Sequence, residues 1–152
     1  MEHSANILVD PLGFPAAEGG MSCTVRDLAR FGLAYLNDGI INDQAVLPES
    51  WVRDTREGNE DARNCYARYV ESLPETSFEG NCWSMYHNAF WVMERDQQFS
   101  GLGIFGQYIW IDRPSRTVIA RFSTYPTAAP ADLSQETMCG FVAVAEALEK
   151  HH

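Results

Sequence analysis

A serine hydroxyl attacks a carbonyl poorly unless a base sits beside it. Two local patterns supply that base or the strained turn that presents the serine: Ser-x-x-Lys and Gly-x-Ser-x-Gly. Neither occurs in this sequence. Lys150 is the only lysine, and Ala147 stands three residues before it. Ser22, Ser100 and Ser123 each lack a neighbouring base, so none is promoted to nucleophile. What remains is Ser100-Gly101-Leu102-Gly103-Ile104-Phe105-Gly106-Gln107, three glycines in a strand-like setting. Glycine weakens a strand, and it is kept there for a bulge or bend, or because a ligand must approach the backbone closely. The glycines alone leave both readings open. A nucleotide cradle is disfavoured, because G-x-G-x-x-G needs a strand-to-helix turn and here the apolar strand pattern resumes at Tyr108.

Other chemistries find less support. Cys23, Cys65, Cys82 and Cys139 are widely spaced with no C-x-x-C pair, which argues against a zinc ribbon or a thioredoxin-like site. A chain of 152 residues can build its core without disulfides, so reduced and mostly buried thiols are expected. His151 and His152 resemble the start of a purification tag, which leaves His3 and His87, too few for a metal site without carboxylates. No metal or other cofactor is expected. The formal net charge of −10 and the scattered arginines argue against a nucleic-acid partner. No apolar run approaches a membrane span, and Met1 to Asp10 lack the basic and apolar regions of a signal peptide. The chain reads as a cytoplasmic-type soluble domain, with any export signal upstream of Met1.

The elements that must position these residues can be placed from pattern. Residues 1–20 are loop-like, broken by Asp10-Pro11, Gly13, Pro15 and Gly19-Gly20. Thr24 caps a predicted helix, with Asp27 three residues on, close to a capping box. Val25, Leu28, Phe31, Gly32, Tyr35 and Leu36 fall at helical spacing, and Gly39 supplies a left-handed stop. A short helix from Pro48 to about Thr55 follows, and then residues 56–80, polar enough to predict a flexible insertion. From Trp83 the period becomes two. One strand or a broken strand covers 83–93, one or two more cover 101–111, and a last one covers 117–124 after a turn at Asp112-Arg113-Pro114-Ser115. A terminal helix over about 133–149, capped by Asp132 or Ser134, carries Met138, Phe141, Val142, Ala145 and Leu148 as its stripe.

Two segments carry a resemblance. Gly19-Gly20-Met21-Ser22-Cys23-Thr24-Val25-Arg26-Asp27-Leu28-Ala29-Arg30-Phe31-Gly32 resembles a run of the serine β-lactamase-like superfamily. The likeness is greatest to class C β-lactamase-like esterases and 6-aminohexanoate-dimer hydrolases. Gly101 to Gln107 looks like that family's lysine-free version of its Lys-Thr-Gly strand. The likeness extends over most of the chain except 56–80. It implies a serine acylated with help from a lysine and a tyrosine, the first two in a Ser-x-x-Lys that lies before the segment opening this chain. Even Met1-Glu2-His3-Ser4-Ala5 resembles an internal stretch of the family, so the chain looks as if it begins mid-domain. Tyr35-Leu36-Asn37 and Tyr86-His87-Asn88 imitate the family's tyrosine box, but the first reads as helix core and the second as a turn.

The fold expected is therefore α+β: three to four antiparallel strands covered by the C-terminal helix, with residues 24–38 in an adjoining helical layer. Residues 1–152 would form the C-terminal part of one β-lactamase-like domain. By resemblance, Gly101-Leu102-Gly103 stands where Lys-Thr-Gly would be, and the backbone N–H of Ile104 takes the place of one oxyanion donor. Gly101, Leu102, Gly103, Phe105, Gln107 and Glu18 would face substrate, a small amide or ester in the parent domain. Phe105 stands where the aminohexanoate hydrolases have histidine, and Glu18 where they have asparagine. Both changes weigh against substrates ending in carboxylate. The chain alone is expected to be inactive, its partner being the missing N-terminal half or a second copy. A non-catalytic, self-associating or partner-binding module is the rival reading.

Overall fold

The structure, a computed structural model, describes residues 1–16, 19–74, 83–93 and 97–150. Near the N-terminus β1 (Asn6–Ile7) pairs with β2 (Met21–Ser22), and α1 (Val25–Leu36) follows at once. Thr24 caps α1 by accepting the Asp27 N–H, as its spacing predicts, and Gly39 (φ 91°) lies just past the helix end. The hairpin β3 (Ile40–Ile41) with β4 (Gln44–Ala45) leads to α2 (Glu49–Glu57) and α3 (Glu60–Glu71). The main sheet is an antiparallel meander of β5 (Trp83–His87), β6 (Phe90–Met93), β7 (Gln98–Gly103), β8 (Gln107–Asp112) and β9 (Thr117–Arg121). The chain closes with α4 (Ala131–Glu149).

Both faces of the sheet are covered, which explains why β6 and the middle of β8 carry apolar residues at successive positions. On one face Met85, Phe90, Val92, Phe99, Ile109 and Ile111 meet Tyr35 and Leu36 of α1 and Val52 of α2. On the other, Trp83, Tyr108 and Trp110 meet Tyr66 of α3 and Met138, Phe141 and Ala145 of α4. Strict alternation would put Trp83 and Met85 on one face. A register shift between them, a β-bulge, sends them to opposite cores.

Helix α1 reaches the sheet closely because Gly32 has no side chain. A Cβ there would lie 2.5 Å from Val118 Cγ1 and 2.9 Å from Ile109 Cδ1. Beyond its C-terminus, Arg113 forks onto Asp38 at 2.8 and 3.0 Å and also donates to the Leu36 carbonyl at 3.2 Å. A cation at a helix C-terminus opposes the dipole, so this tie between the β8–β9 turn and α1 is favourable twice over.

Several expectations are corrected. Of residues 56–80, expected as one flexible insertion, 75–80 lie outside the described residues, and the rest is largely helical: α2 runs to Glu57, and Glu60–Glu71 form a helix whose N-cap, Asn59, accepts the Ala62 N–H. A polar, charge-rich surface had hidden a stripe carried by Ala62, Cys65, Tyr66 and Tyr69. The sheet has five strands, because Trp83 to Met93 is a complete hairpin rather than a single broken strand. Neither Asp132 nor Ser134 caps α4, whose N-cap is Pro130, and Ser134 Oγ is instead bonded to the Tyr108 hydroxyl at 3.0 Å. Cys65 and Cys139 are exposed and Cys23 is half-buried, all three with free thiols, so these cysteines are not mainly core residues. Cys82 lies outside the described residues.

Two helical glycines should respond to alanine in opposite directions. At Gly140 a Cβ meets nothing within 4 Å, so Gly140→Ala should stabilise by the usual helix preference, about 0.5–1 kcal/mol. At Gly32 the new methyl strikes the stiff, β-branched Val118, and overpacking of about 1–3 kcal/mol outweighs the helix gain. Urea unfolding of the two variants beside the wild type should give midpoints that move apart, Gly140→Ala upward and Gly32→Ala downward.

Candidate functional site

The site begins with a tight turn. Asn88 (φ 49°) and Ala89 (φ 65°) form the two-residue loop of the β5–β6 hairpin, setting the pairs His87↔Phe90 and Tyr86↔Trp91. The tip is tied down: Asn88 Nδ2 donates to Asp54 Oδ2 at 2.9 Å and Thr55 Oγ1 at 3.2 Å, and His87 Nε2 lies 2.9 Å from Asp54 Oδ2. In the Tyr86-His87-Asn88 triplet only Asn88 lies in the turn, Tyr86 and His87 being the last residues of β5, and Tyr35 is a buried core residue.

Because β6 begins at Phe90, it pairs with β7 only through Trp91↔Ser100 and Val92↔Phe99. The β7–β8 ladder continues for three more pairs, Gly101↔Ile109, Leu102↔Tyr108 and Gly103↔Gln107. From Gly101 to Gly103 β7 is therefore paired with β8 but not with β6. This stretch borders a cavity of about 680 Å³, walled also by Ser22 of β2, Cys23 just after it, Leu28 of α1, and Tyr86 and Trp91 of the hairpin. At Gly101 a Cβ would come within 3.0 Å of Ile109 Cγ2, so the glycine keeps the backbone bare where the strand is open.

Beyond Gly103 the chain turns through Ile104–Gly106. Phe105 is left-handed (φ 59°, ψ 21°), a strained conformation for a bulky residue. It is clamped there: its N–H donates to the Ala128 carbonyl at 2.7 Å, and its carbonyl accepts the Tyr125 N–H at 3.1 Å. Gly106 (φ 82°) lies under the Tyr125 ring, 2.7 Å from where a Cβ would stand. Tyr125 is held in turn by Arg121, whose guanidinium donates to its hydroxyl at 2.6 Å.

Among the residues proposed from sequence, Gly101, Leu102, Gly103 and Gln107 line the large cavity. Ile104, well exposed, lines a neighbouring one of about 190 Å³. Phe105 is half-exposed on the turn and borders neither. The Gln107 amide is engaged with Ser123, accepting its N–H at 3.3 Å. Glu18 lies outside the described residues. Tyr86 and Trp91 had no such role in the sequence reading. Their pairing rests on the turn at Asn88-Ala89, and knowing that register would have revealed it.

The wall opposite β7 is fixed by a buried carboxylate. Asp27 accepts the backbone N–H of Glu2 at 2.7 Å and of His3 at 3.1 Å, the Thr24 hydroxyl at 2.9 Å and Arg30 Nη1 at 3.0 Å. Burial alone would raise its pKa, but these donors together hold it well below the usual carboxylate range. The Cys23 thiol is pushed up by burial and by the Asp27 charge, which makes it a poor thiolate at neutral pH. Ser100 is buried and donates to the Ile109 carbonyl at 2.8 Å, so it is a structural hydroxyl.

No family-level sequence profile matches the chain. A 6-aminohexanoate-dimer hydrolase of Paenarthrobacter ureafaciens is 34% identical over 125 residues, covering 82% of this chain and 30% of the relative. A solved Bacillus anthracis protein, provisionally named as a 6-aminohexanoate-dimer hydrolase, superposes with a TM-score of 0.72 at 30% identity. That match covers 96% of this chain and 34% of the other. Over most of its length the chain is similar to a C-terminal portion of 6-aminohexanoate-dimer hydrolases. Its fold is part of the β-lactamase-like fold, and it is a partial domain of a hydrolase family. It spans about a third of the length of the relatives it matches.

The Gly-Gly to Phe-Gly run now has physical content. Gly20 passes beside Ala16, where a Cβ would be 2.6 Å from a carbonyl oxygen, Thr24 caps α1, and Asp27 gathers the incoming chain. Arg30 adds an ion pair to Glu2, and Gly32 lets α1 meet the sheet.

Asp27, Asp38 and Asp54 all have pKa values lowered in the folded protein. A depressed folded pKa gives stability that is present above the unfolded value, near 3.8, and is lost as pH falls through the folded one. The thermal midpoint should hold between pH 5 and pH 7 and fall below about pH 4. Asp27→Asn should lower the midpoint at pH 7 by several degrees. Its deficit against wild type should shrink as pH drops below about 4, as differential scanning calorimetry across pH will check.

Proposed function

We propose that this chain forms the far wall of a serine hydrolase site for small amides or esters, completed by a segment that carries the nucleophile. The observation that carries this reading is the bare stretch of β7 from Gly101 to Gly103, paired with β8 but not with β6 and bordering the large cavity. An acyl group can lie along that edge and reach the backbone at Gly101 and Gly103, which carry no side chain. At its end the turn presents the N–H of Ile104, the proposed oxyanion donor. The adjacent N–H of Phe105 is already bonded to Ala128.

In the completed site a serine, deprotonated by its lysine or tyrosine partner, adds to the substrate carbonyl. The carbonyl oxygen becomes an oxyanion that accepts the Ile104 N–H and that of the serine itself. Collapse expels an amine or alcohol, which takes up the proton, and water then hydrolyses the acyl-enzyme. A fixed backbone donor is worth on the order of 3 kcal/mol in such a step. Its rigidity here comes from the Ala128–Phe105–Tyr125 clamp. Among the described residues no serine bordering the two cavities is bonded to a carboxylate, lysine or histidine, and the Ser115 hydroxyl that donates to Asp112 is buried in the β8–β9 turn, so the chain alone should be inert.

The test uses the longer protein that contains this segment. Ile104→Ala keeps the N–H and should be mild, whereas Ile104→Pro removes it and should cost about a hundredfold in turnover or more. Equal losses from both would assign the role to the side chain and overturn the reading. On the isolated 152-residue chain, a fluorophosphonate probe should label no serine; stoichiometric labelling would overturn the view that the nucleophile lies elsewhere.

A second reading, self-association, has one specific observation in its favour. Strand β9 is an edge of the sheet, and its only charge is drawn away from that edge. The Arg121 guanidinium lies 4.8 Å from the Tyr125 ring centroid and donates to Ser123 Oγ at 3.0 Å. Little is left to blunt pairing with another chain. Phe31 and Leu33 of α1 and Phe122 are also exposed. Light scattering at tens of micromolar should report a dimer or larger species; a monodisperse monomer would refute it.

A further inference from the structure

Beside the large cavity lies a smaller one of about 360 Å³, between α3 and the β5–β6 hairpin. Its helix side is a single stripe, Ala62, Cys65, Tyr66 and Tyr69, at the spacing that shares one helix face. Its sheet side is the cross-strand pair Tyr86 and Trp91, with ring centroids 4.4 Å apart. Ala62 and Cys65 are the small members of the stripe, and the space between the rings exists because they are small. The same Tyr86 and Trp91 also wall the large cavity, so the two cavities share one aromatic partition. Four aromatic rings and no carboxylate or ammonium line the small cavity among the described residues.

We propose that this cavity is a binding site for an uncharged aryl group, the distal ring of a small amide or ester. The claim that its carbonyl end would lie on β7 rests on the reading above, while the claim that the ring binds does not. The volume falls in the range of small-molecule pockets, and an aryl ring gains edge-to-face contact with tyrosine and indole beyond its buried area. A cation would lose its hydration here with no carboxylate among the described lining residues to replace it.

Cys65 makes the site readable without turnover, because its exposed free thiol lines the cavity and sits 3.3 Å from Arg68 Nη2. The 152-residue chain is alkylated with iodoacetamide, and the rate at each cysteine is followed by peptide mass spectrometry. Acetanilide at four times its Kd should slow Cys65 about fivefold, by occupancy alone, and leave the exposed Cys139 unchanged. Acetamide, which lacks the ring, should protect neither. Tyr69→Ala removes one wall and should abolish protection; Ala62→Leu fills the space and should do the same with every ring in place. The alkylation rate at half-buried Cys23 without ligand, unchanged from wild type, reports that both variants fold. No protection by acetanilide, equal protection by acetamide, or protection that survives both substitutions would overturn the proposal. If Cys65 is protected while the Ile104→Pro comparison fails, the ring site stands and the β7 reading falls.

Discussion

The β7–β8 ladder is the interaction on which the rest of the structure depends. Its six pairs run from Gln98↔Asp112 to Gly103↔Gln107. On β8, Tyr108 and Trp110 enter one core and Ile109 and Ile111 the other, all four buried. Each such side chain contributes roughly 1.5–3 kcal/mol of burial, and a slip of one residue would send every one of them to the wrong face. Both ends of the ladder are pinned by polar groups. Buried Asp112 accepts Gln98 Nε2 and the N–H and hydroxyl of Ser115, which fixes the β8–β9 turn. At the far end Gln107 bonds across to Ser123, and Tyr125 clamps the Phe105 turn. The position of the Ile104 backbone is thus set by core packing several residues away.

A strand edge has to be paired, covered or put to use. The β5–β6 hairpin is too short to cover β7 along its whole length, and its length follows from the two-residue turn at Asn88-Ala89. Bonds to Asp54 and Thr55 lock that turn onto α2, so the hairpin cannot readily lengthen by slipping. The open stretch at Gly101–Gly103 is consequently as fixed as the closed part of the sheet. This separates the glycine readings that composition left open. Gly101 and Gly103 remain within a regular ladder, which excludes a bulge at those positions, and the bend occurs later at Gly106.

Much of this was legible in the sequence, for reasons that differ by element. Helix α1 was, because cap, stripe and left-handed stop all point to the same boundaries. The meander was, because short connections between period-two segments leave few topologies. Helix α3 was not: Asn59-Glu60-Asp61 reads as a loop until Asn59 is seen to cap, and Tyr66 is its single fully buried residue. A helix with so narrow an apolar stripe gives almost no periodic signal. The bulge at Trp83–Met85 and the aromatic pair of Tyr86 and Trp91 were also hidden, since both depend on register rather than composition. Within the site, the glycines of β7 were visible as backbone without side chains. The clamp on Phe105 was not, because its partners Ala128 and Tyr125 lie some 20 residues away on a loop.

The two walls of the large cavity differ in their electrostatics, and this bears on where chemistry can occur. On the α1 side burial, and after it the Asp27 charge, raises the Cys23 thiol, so an anion at that thiol is disfavoured. On the β7 side the described residues bordering the cavity include no carboxylate, and Ile104 is exposed at the turn. Negative charge that develops during acyl transfer is therefore better accommodated against β7 than against α1. Under the proposed reading, the nucleophile must approach with its oxyanion facing the Ile104 turn. The Asp27 charge, held by four donors, then acts on geometry alone: it anchors the segment that closes the opposite wall.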